Sequence, residues 1–65
     1  MQSKIKEAIF QIIKEKEVRN EAFSCAHSVE VARRLKMNAR EVELLVRGMG
    51  EIKRHLTVNG EYYET

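Results

Sequence analysis

The side chains best suited to chemistry in this 65-residue chain are cations that gather in its second half. Residues 31–58 contain seven lysines and arginines against three glutamates, whereas the five cations and five glutamates of residues 1–30 cancel. The seven are Arg33, Arg34, Lys36, Arg40, Arg47, Lys53 and Arg54. Such a local surplus is where phosphate contacts are expected. Taken alone, the net charge of +2 is explained equally well by a surface that keeps a small domain soluble.

A second possible chemistry lies in Cys25 and His27, which share a face if this stretch is a strand. A thiol beside an imidazole can act as a nucleophile, but no third orienting group or oxyanion site accompanies the pair, so a small buried thiol is the preferred interpretation. One cysteine and two distant histidines, His27 and His55, do not match the spacing of zinc ligands. Because the chain also lacks a glycine-rich phosphate loop, we expect no enzymatic activity, metal, cofactor or small-molecule substrate.

Two short helices must position the cations of residues 31–58. Apolar residues recur at helical spacing on either side of a break. They are Val31, Ala32 and Leu35 before it and Val42, Leu45, Val46 and Met49 after it. We predict Ser28 and Asn38 as the N-caps, with Glu41 completing a capping box in the second helix, which runs over residues 39–49. Lys36 would take the left-handed turn between them, at a cost of roughly 1 kcal/mol.

A longer helix precedes these two. Ser3 is its predicted N-cap and Glu17 lies near its predicted end. One stripe of this helix is apolar and is expected to form the scaffold of the core: Ile5, Ala8, Ile9, Ile12 and Ile13. Phe10 lies at the edge of the stripe. Its ring either covers the edge of the core, as apolar residues at such flanks commonly do, or forms a dimer contact.

Two β elements complete the prediction. Alternation over residues 22–27 favours a short strand, and Asn59-Gly60 favours a hairpin with a two-residue type I′ turn. In that register Val58 faces Glu61, Thr57 faces Tyr62 and Leu56 faces Tyr63. Ile52, Leu56 and Tyr63 would close the core. The other face would present a basic, hydrogen-bonding surface of Lys53, His55, Thr57 and Tyr62, with Arg54 at the rim.

Length and composition limit the class of protein. Residues 1–65 predict a single domain with a small core, because a chain of this size buries only about 60% of its unfolded surface. Neither a membrane-spanning segment nor a signal peptide is predicted, since Gln11 interrupts the apolar run from Ile9 to Ile13 and Lys and Glu flank it. A lone cysteine fits a reducing compartment, so a cytoplasmic location is expected.

The order of helix, short strand, helix, turn, helix and hairpin resembles the winged helix-turn-helix family, an α+β fold, over nearly the whole chain, from about residue 3 to residue 64. Four segments carry the resemblance: Val31-Ala32-Arg33-Arg34-Leu35, Asn38 with Val42 and Leu45, Gly50-Glu51-Ile52, and Asn59-Gly60-Glu61-Tyr62-Tyr63. The resemblance implies binding to double-stranded DNA, with the second helix of the motif in the major groove and the hairpin, called the wing, on the backbone or in the minor groove.

The outward face of that second helix supplies side chains suited to base readout. They are Ala39, Arg40, Glu43, Leu44 and Arg47. Arginine pairs with guanine, glutamate accepts from cytosine, and Leu44 or Ala39 can meet a thymine methyl group. Phosphate or wing contacts are expected from Arg33, Arg34, Lys36, Lys53, Arg54, His55 and Asn59. The alternative for Arg40 and Arg47 is ordinary solvation, with Glu43 and Glu51 as partners one helical turn on.

The sequence therefore predicts a small transcriptional regulator, and a homodimer because two-fold pairing doubles a short recognition site. Glu43 opposes this prediction, since it would repel phosphate unless it faced a base. A winged helix that binds another protein through its first helix or its wing is therefore the main alternative. RNA binding ranks lower, because Tyr62 is the only plausible exposed aromatic for stacking on bases.

Overall fold

The computed structural model describes residues 2–20 and 24–64, and over them the chain is a small α+β domain of three helices and three antiparallel strands. The elements are α1 (Gln2–Val18), β1 (Ala26–His27), α2 (Ser28–Leu35), α3 (Ala39–Val46), β2 (Lys53–Thr57) and β3 (Gly60–Glu64). The strands lie in the order β1-β3-β2. Within the described ranges, no helix is both long and apolar enough to cross a membrane.

The isoleucine stripe of α1 forms one side of the core, as predicted. Ile5 and Ile9 are fully buried, and Ala8, Ile12 and Ile13 nearly so. Val31 and Ala32 of α2, Val42 and Val46 of α3, and Tyr63 of β3 pack into the same cluster. α1 begins at Gln2, so Ser3 lies within the helix and the prediction that Ser3 caps it is wrong.

The caps of the two short helices differ from each other. Asn38 caps α3 as predicted, because its Oδ1 accepts the backbone N–H of Arg40 at 2.9 Å. The prediction for Ser28 is wrong: Ser28 is the first residue of α2, and the N-cap is His27. A capping box does form, but at α2, where Glu30 accepts the His27 backbone N–H at 3.0 Å and the His27 ring accepts from Val29.

The turn between the helices follows the prediction. Lys36 is left-handed, with φ 56° and ψ 46°, and its N–H donates to the carbonyl groups of Ala32 and Arg33. α3 is shorter than the predicted residues 39–49, since it ends at Val46 and Arg47 is its C-cap. Met49 lies in the following turn and is still buried in the core.

The sheet departs from the prediction in extent and in register. β1 covers two residues, whereas a strand was expected within residues 22–27; Ala22 and Phe23 lie outside the described residues. In the hairpin, Thr57 pairs with Gly60, Leu56 with Glu61 and Arg54 with Tyr63. The two-residue turn is therefore Val58-Asn59, one position earlier than predicted.

The observed turn is not type I′, because neither Val58 nor Asn59 has a positive φ; Gly60 has, at 124°. Each β3 residue pairs two positions earlier on β2 than expected, so the faces of the ribbon keep their predicted assignment. Leu56 nevertheless does not close the core. It shares the face of Tyr63 but is 71% exposed.

Candidate nucleic-acid interface

The cations of residues 31–58 divide into paired and unpaired groups. Arg34 donates from both terminal nitrogens to the two carboxylate oxygens of Glu15 at 2.8 Å. Arg54 lies 3.6 Å from Glu61. The others make no ion pair with any described residue, and all are exposed: Arg33, Lys36, Arg40, Arg47 and Lys53.

The exposed face of α3 is narrower than predicted. Arg40, Leu44 and Arg47 are spaced at i, i+4 and i+7, so they form one outward stripe, and Leu44 is 52% exposed. Ala39 is half-buried and packs against the core. Glu43 is half-buried too, and its carboxylate accepts a hydrogen bond from Ser28 Oγ at 3.2 Å. The prediction that Ala39 and Glu43 face outward with the arginines is therefore wrong.

The carboxylates proposed as solvation partners of Arg40 and Arg47 are engaged elsewhere. Glu43 is bonded to Ser28, and Glu51 lies 3.5 Å from Lys6 of α1. In the described part of the chain, the arginine side chains of α3 are therefore not neutralised by the carboxylates one turn away.

The hairpin carries the remaining predicted contacts. His55 pairs across from Tyr62 on the sheet face away from the helices, and its Nε2 lies 2.9 Å from a Glu64 carboxylate oxygen. Lys53 is exposed at the start of β2. Asn59 is exposed in the turn, where the hydroxyl of Thr57 accepts its backbone N–H at 3.1 Å.

A buried polar cluster under the hairpin was missed at the sequence level. Glu61 is only 5% exposed, and its carboxylate accepts a hydrogen bond from Tyr63 Oη at 3.0 Å while Arg54 approaches its other oxygen. Burial, and then the hydrogen bond to Glu61, raise the pKa of Tyr63 far above its ordinary value. Glu61 and Tyr63 have the same parity on β3, and that parity was the signal that could have revealed a buried carboxylate.

Cys25 and His27 do not form a nucleophile and base. Both ring nitrogens of His27 are occupied, Nδ1 by the N–H of Val29 at 3.1 Å and Nε2 by the carbonyl oxygen of Asn59 at 2.9 Å. Cys25 is half-buried. Residues 2–20 and 24–64 contain no group of three or more side chains placed to hold a metal ion.

Phe10 is 43% exposed on α1, so its ring is not enclosed by the core. Lys6 Nζ lies 5.6 Å from the centroid of that ring, within the range of a cation–π contact. Val18, on the same side of α1, is 81% exposed. A shallow surface groove is lined by Phe10, Ile13, Lys14, Glu17 and Val18.

Comparison of the chain with protein-family models, with curated proteins and with solved structures finds no match in any of the three.

Proposed function

We propose that this chain is a winged helix domain that binds double-stranded DNA as a small transcriptional regulator. In this proposal α3 enters the major groove and the β2–β3 hairpin is the wing on the adjacent backbone or minor groove. The order of elements and the antiparallel hairpin after α3 support the assignment of the fold.

The single observation that carries the proposal is the imbalance of ion pairing. Between residues 33 and 53, five exposed cations have no partner among the described residues. Of the three carboxylates in that span, only Glu41 makes no hydrogen bond or ion pair with a described residue. On α1 the two cations that lack a described partner, Lys4 and Lys14, are offset by Glu7 and Glu17 on the same helix. A surplus of unpaired positive charge on one segment favours binding to a polyanion.

The stripe on α3 has the composition of a base-reading face. Arg40 and Arg47 present guanidinium groups suited to the N7 and O6 of guanine, and Leu44 between them suits a thymine methyl group. The difficulty posed by Glu43 is reduced, because its hydrogen bond to Ser28 holds the carboxylate towards α2 and away from the stripe.

The flanking cations suit phosphate contacts, which orient a protein on DNA without reading sequence. Arg33 and Lys36 precede α3, and Lys53 lies on the hairpin after it. Arg54, His55 and Arg34 are weaker candidates, because each contacts a carboxylate: Glu61, Glu64 and Glu15, respectively.

Fluorescence anisotropy with a mixed-sequence duplex, across a salt series, tests this proposal. The wild type is compared with Arg40→Ala, Lys53→Ala and Lys14→Ala, the last being the same charge change on α1. We expect the logarithm of affinity to fall linearly with that of salt, with Lys53→Ala reducing the slope by about 0.9, the value for one phosphate contact. Lys14→Ala should bind as the wild type does. Absence of binding at low salt, or equal losses in all three variants, would refute the proposal.

A second candidate function rests on Phe10. An exposed aromatic ring beside Val18 suits a contact between copies of α1, or a protein partner in place of DNA. Sedimentation equilibrium of the wild type and Phe10→Ala separates these options. If the wild type is a dimer and Phe10→Ala is a monomer, a homodimer through α1 is supported. If the wild type is a monomer at all concentrations, the homodimer is ruled out.

A further inference from the structure

His27 makes more connections than its place in a two-residue strand requires. It is the N-cap of α2, where Nδ1 accepts the N–H of Val29. Its Nε2 contacts the carbonyl oxygen of Asn59 in the hairpin turn at 2.9 Å. Its ring meets that of Tyr62 edge-on, with centroids 4.7 Å apart and planes at 79°. One imidazole therefore joins the start of α2 to the tip of the hairpin.

One protonation state of the ring satisfies these two contacts together. A backbone N–H can donate to Nδ1 only if Nδ1 carries no proton, and a carbonyl oxygen can accept from Nε2 only if Nε2 carries one. The neutral tautomer with hydrogen on Nε2 satisfies both contacts. A protonated ring carries hydrogen on both nitrogens, so its Nδ1–H would oppose the N–H of Val29.

Gly60 shows independently that the hairpin is shaped around this ring. A Cβ atom built on Gly60 would lie 2.9 Å from His27 Nε2 and 3.0 Å from Cε1. Gly60 also has φ 124°, a conformation that side chains disfavour. Hence the imidazole occupies the space that a side chain at position 60 would need.

We infer that His27 is the positioning residue that joins the hairpin to the start of α2, and that it does so only while its ring is neutral. Acidification breaks the cap of α2, because a protonated Nδ1 opposes the N–H of Val29. Nε2 still donates to Asn59, so the ring stays with the hairpin tip and separates from the start of α2. If the proposed function holds, on which this last consequence rests, the wing contributes less to DNA binding as the pH falls.

One carboxylate lies close enough to His27 to attract a proton on its ring. It is Glu30 of α2, which is also paired with Lys16 of α1 at 2.6 Å. On the sheet, Tyr62 is adjacent, and His55 of β2, opposite Tyr62, contacts Glu64. Glu43 of α3 is bonded to the neighbouring Ser28.

Amide and imidazole NMR signals followed between about pH 5 and 8, the range in which histidine titrates, test the inference. The protein carries His55→Gln, so that His27 is its only histidine, and is compared with the double variant His55→Gln, His27→Asn. Asparagine keeps a cap acceptor, as Asn38 does for α3, but cannot titrate or reach Asn59. We expect the amides of Val29, Asn59 and Gly60 to move with the His27 ring and to be independent of pH in the double variant.

The wild-type titration needs no variant to fold, and it overturns the inference if these amides do not follow the ring. Movement that persists in the double variant overturns it as well. DNA affinity of the same two proteins separates this inference from the proposed function. We expect acidification to weaken the single variant by about threefold to tenfold relative to the double variant, the scale of one lost cap or hydrogen bond. If the amides titrate but the protein does not bind DNA, the proposed function is wrong and the positioning role of His27 is retained.

Discussion

α2 is held on its two sides by different kinds of polar contact. Towards α1 the contacts are ion pairs, the exposed pair of Arg34 with Glu15 and the part-buried pair of Lys16 with Glu30. Towards α3 the contact is a hydrogen bond from the fully buried Ser28 Oγ to the half-buried Glu43. The hairpin, which also packs on α2, has a buried hydrogen bond within β3, from Tyr63 Oη to Glu61.

The difference predicts where the domain tolerates change. Exposed ion pairs contribute little, because water and salt screen them and two long side chains must be ordered. A buried group that loses its partner costs the full desolvation of that group. The hairpin side of α2 should therefore be intolerant of substitution.

The largest effect is expected at Gly60, on the hairpin side. Gly60→Ala forces a Cβ against the His27 ring and strains φ 124°, so it should lower the free energy of unfolding by about 2–4 kcal/mol. Gly50→Ala is the matched control, since nothing lies within 4 Å of its added Cβ. Urea denaturation of both variants measures the difference. Equal stability of the two would contradict the close packing of the hairpin on His27.

Removal of one hydroxyl group from the buried cluster should have the next largest effect. Tyr63→Phe keeps the ring in the core but deprives the Glu61 carboxylate of its hydrogen bond, at a cost of about 1–3 kcal/mol. Tyr62→Phe removes the same atom from a half-buried ring on the other face of β3 and should change stability by less than about 0.5 kcal/mol. Thermal unfolding of the two variants compares them directly. A similar loss in both would show that burial does not distinguish the faces.

The helices and the turn between α2 and α3 were largely predictable, whereas the hairpin was not. The isoleucine stripe, the Asn38 cap and the left-handed Lys36 follow from residues close in sequence, where spacing and local hydrogen bonding decide the structure. The hairpin register was predicted from the turn preference of Asn59-Gly60, but the observed turn lies one position earlier. In this register the carbonyl oxygen of Asn59 contacts His27, thirty-two residues away in sequence.

The outward face of α3 was predicted correctly only in part, for the same reason. Helical spacing placed Arg40, Leu44 and Arg47 outward, and the structure agrees. The inward orientation of the Glu43 carboxylate depends on a hydrogen bond from Ser28, fifteen residues away in sequence. No local pattern reveals a contact between residues so far apart in the chain.

The smallest effects are expected from the surface pairs on the α1 side, and they should appear at acid pH. Partial burial disfavours the ionised form of Glu30, but hydrogen bonds from Lys16 and from the His27 backbone outweigh it and hold the pKa of Glu30 below its ordinary value of 4.5. Hydrogen bonds from Arg34 likewise outweigh desolvation and lower the pKa of Glu15. A lowered pKa in the folded state stabilises the protein above the ordinary value, and that stability is lost as the pH falls through the folded value.

Unfolding free energies measured between about pH 3 and 6 should therefore decline in the acid range less steeply for Glu30→Gln than for the wild type. Its cost at neutral pH should be about 1 kcal/mol or less, because the pair with Lys16 is partly exposed. Glu15→Gln should cost less again, since its pair with Arg34 is more exposed on both sides, and added salt should reduce the difference from the wild type. If Glu15→Gln destabilised the domain as much as Tyr63→Phe does, the contrast between the two sides of α2 would not hold.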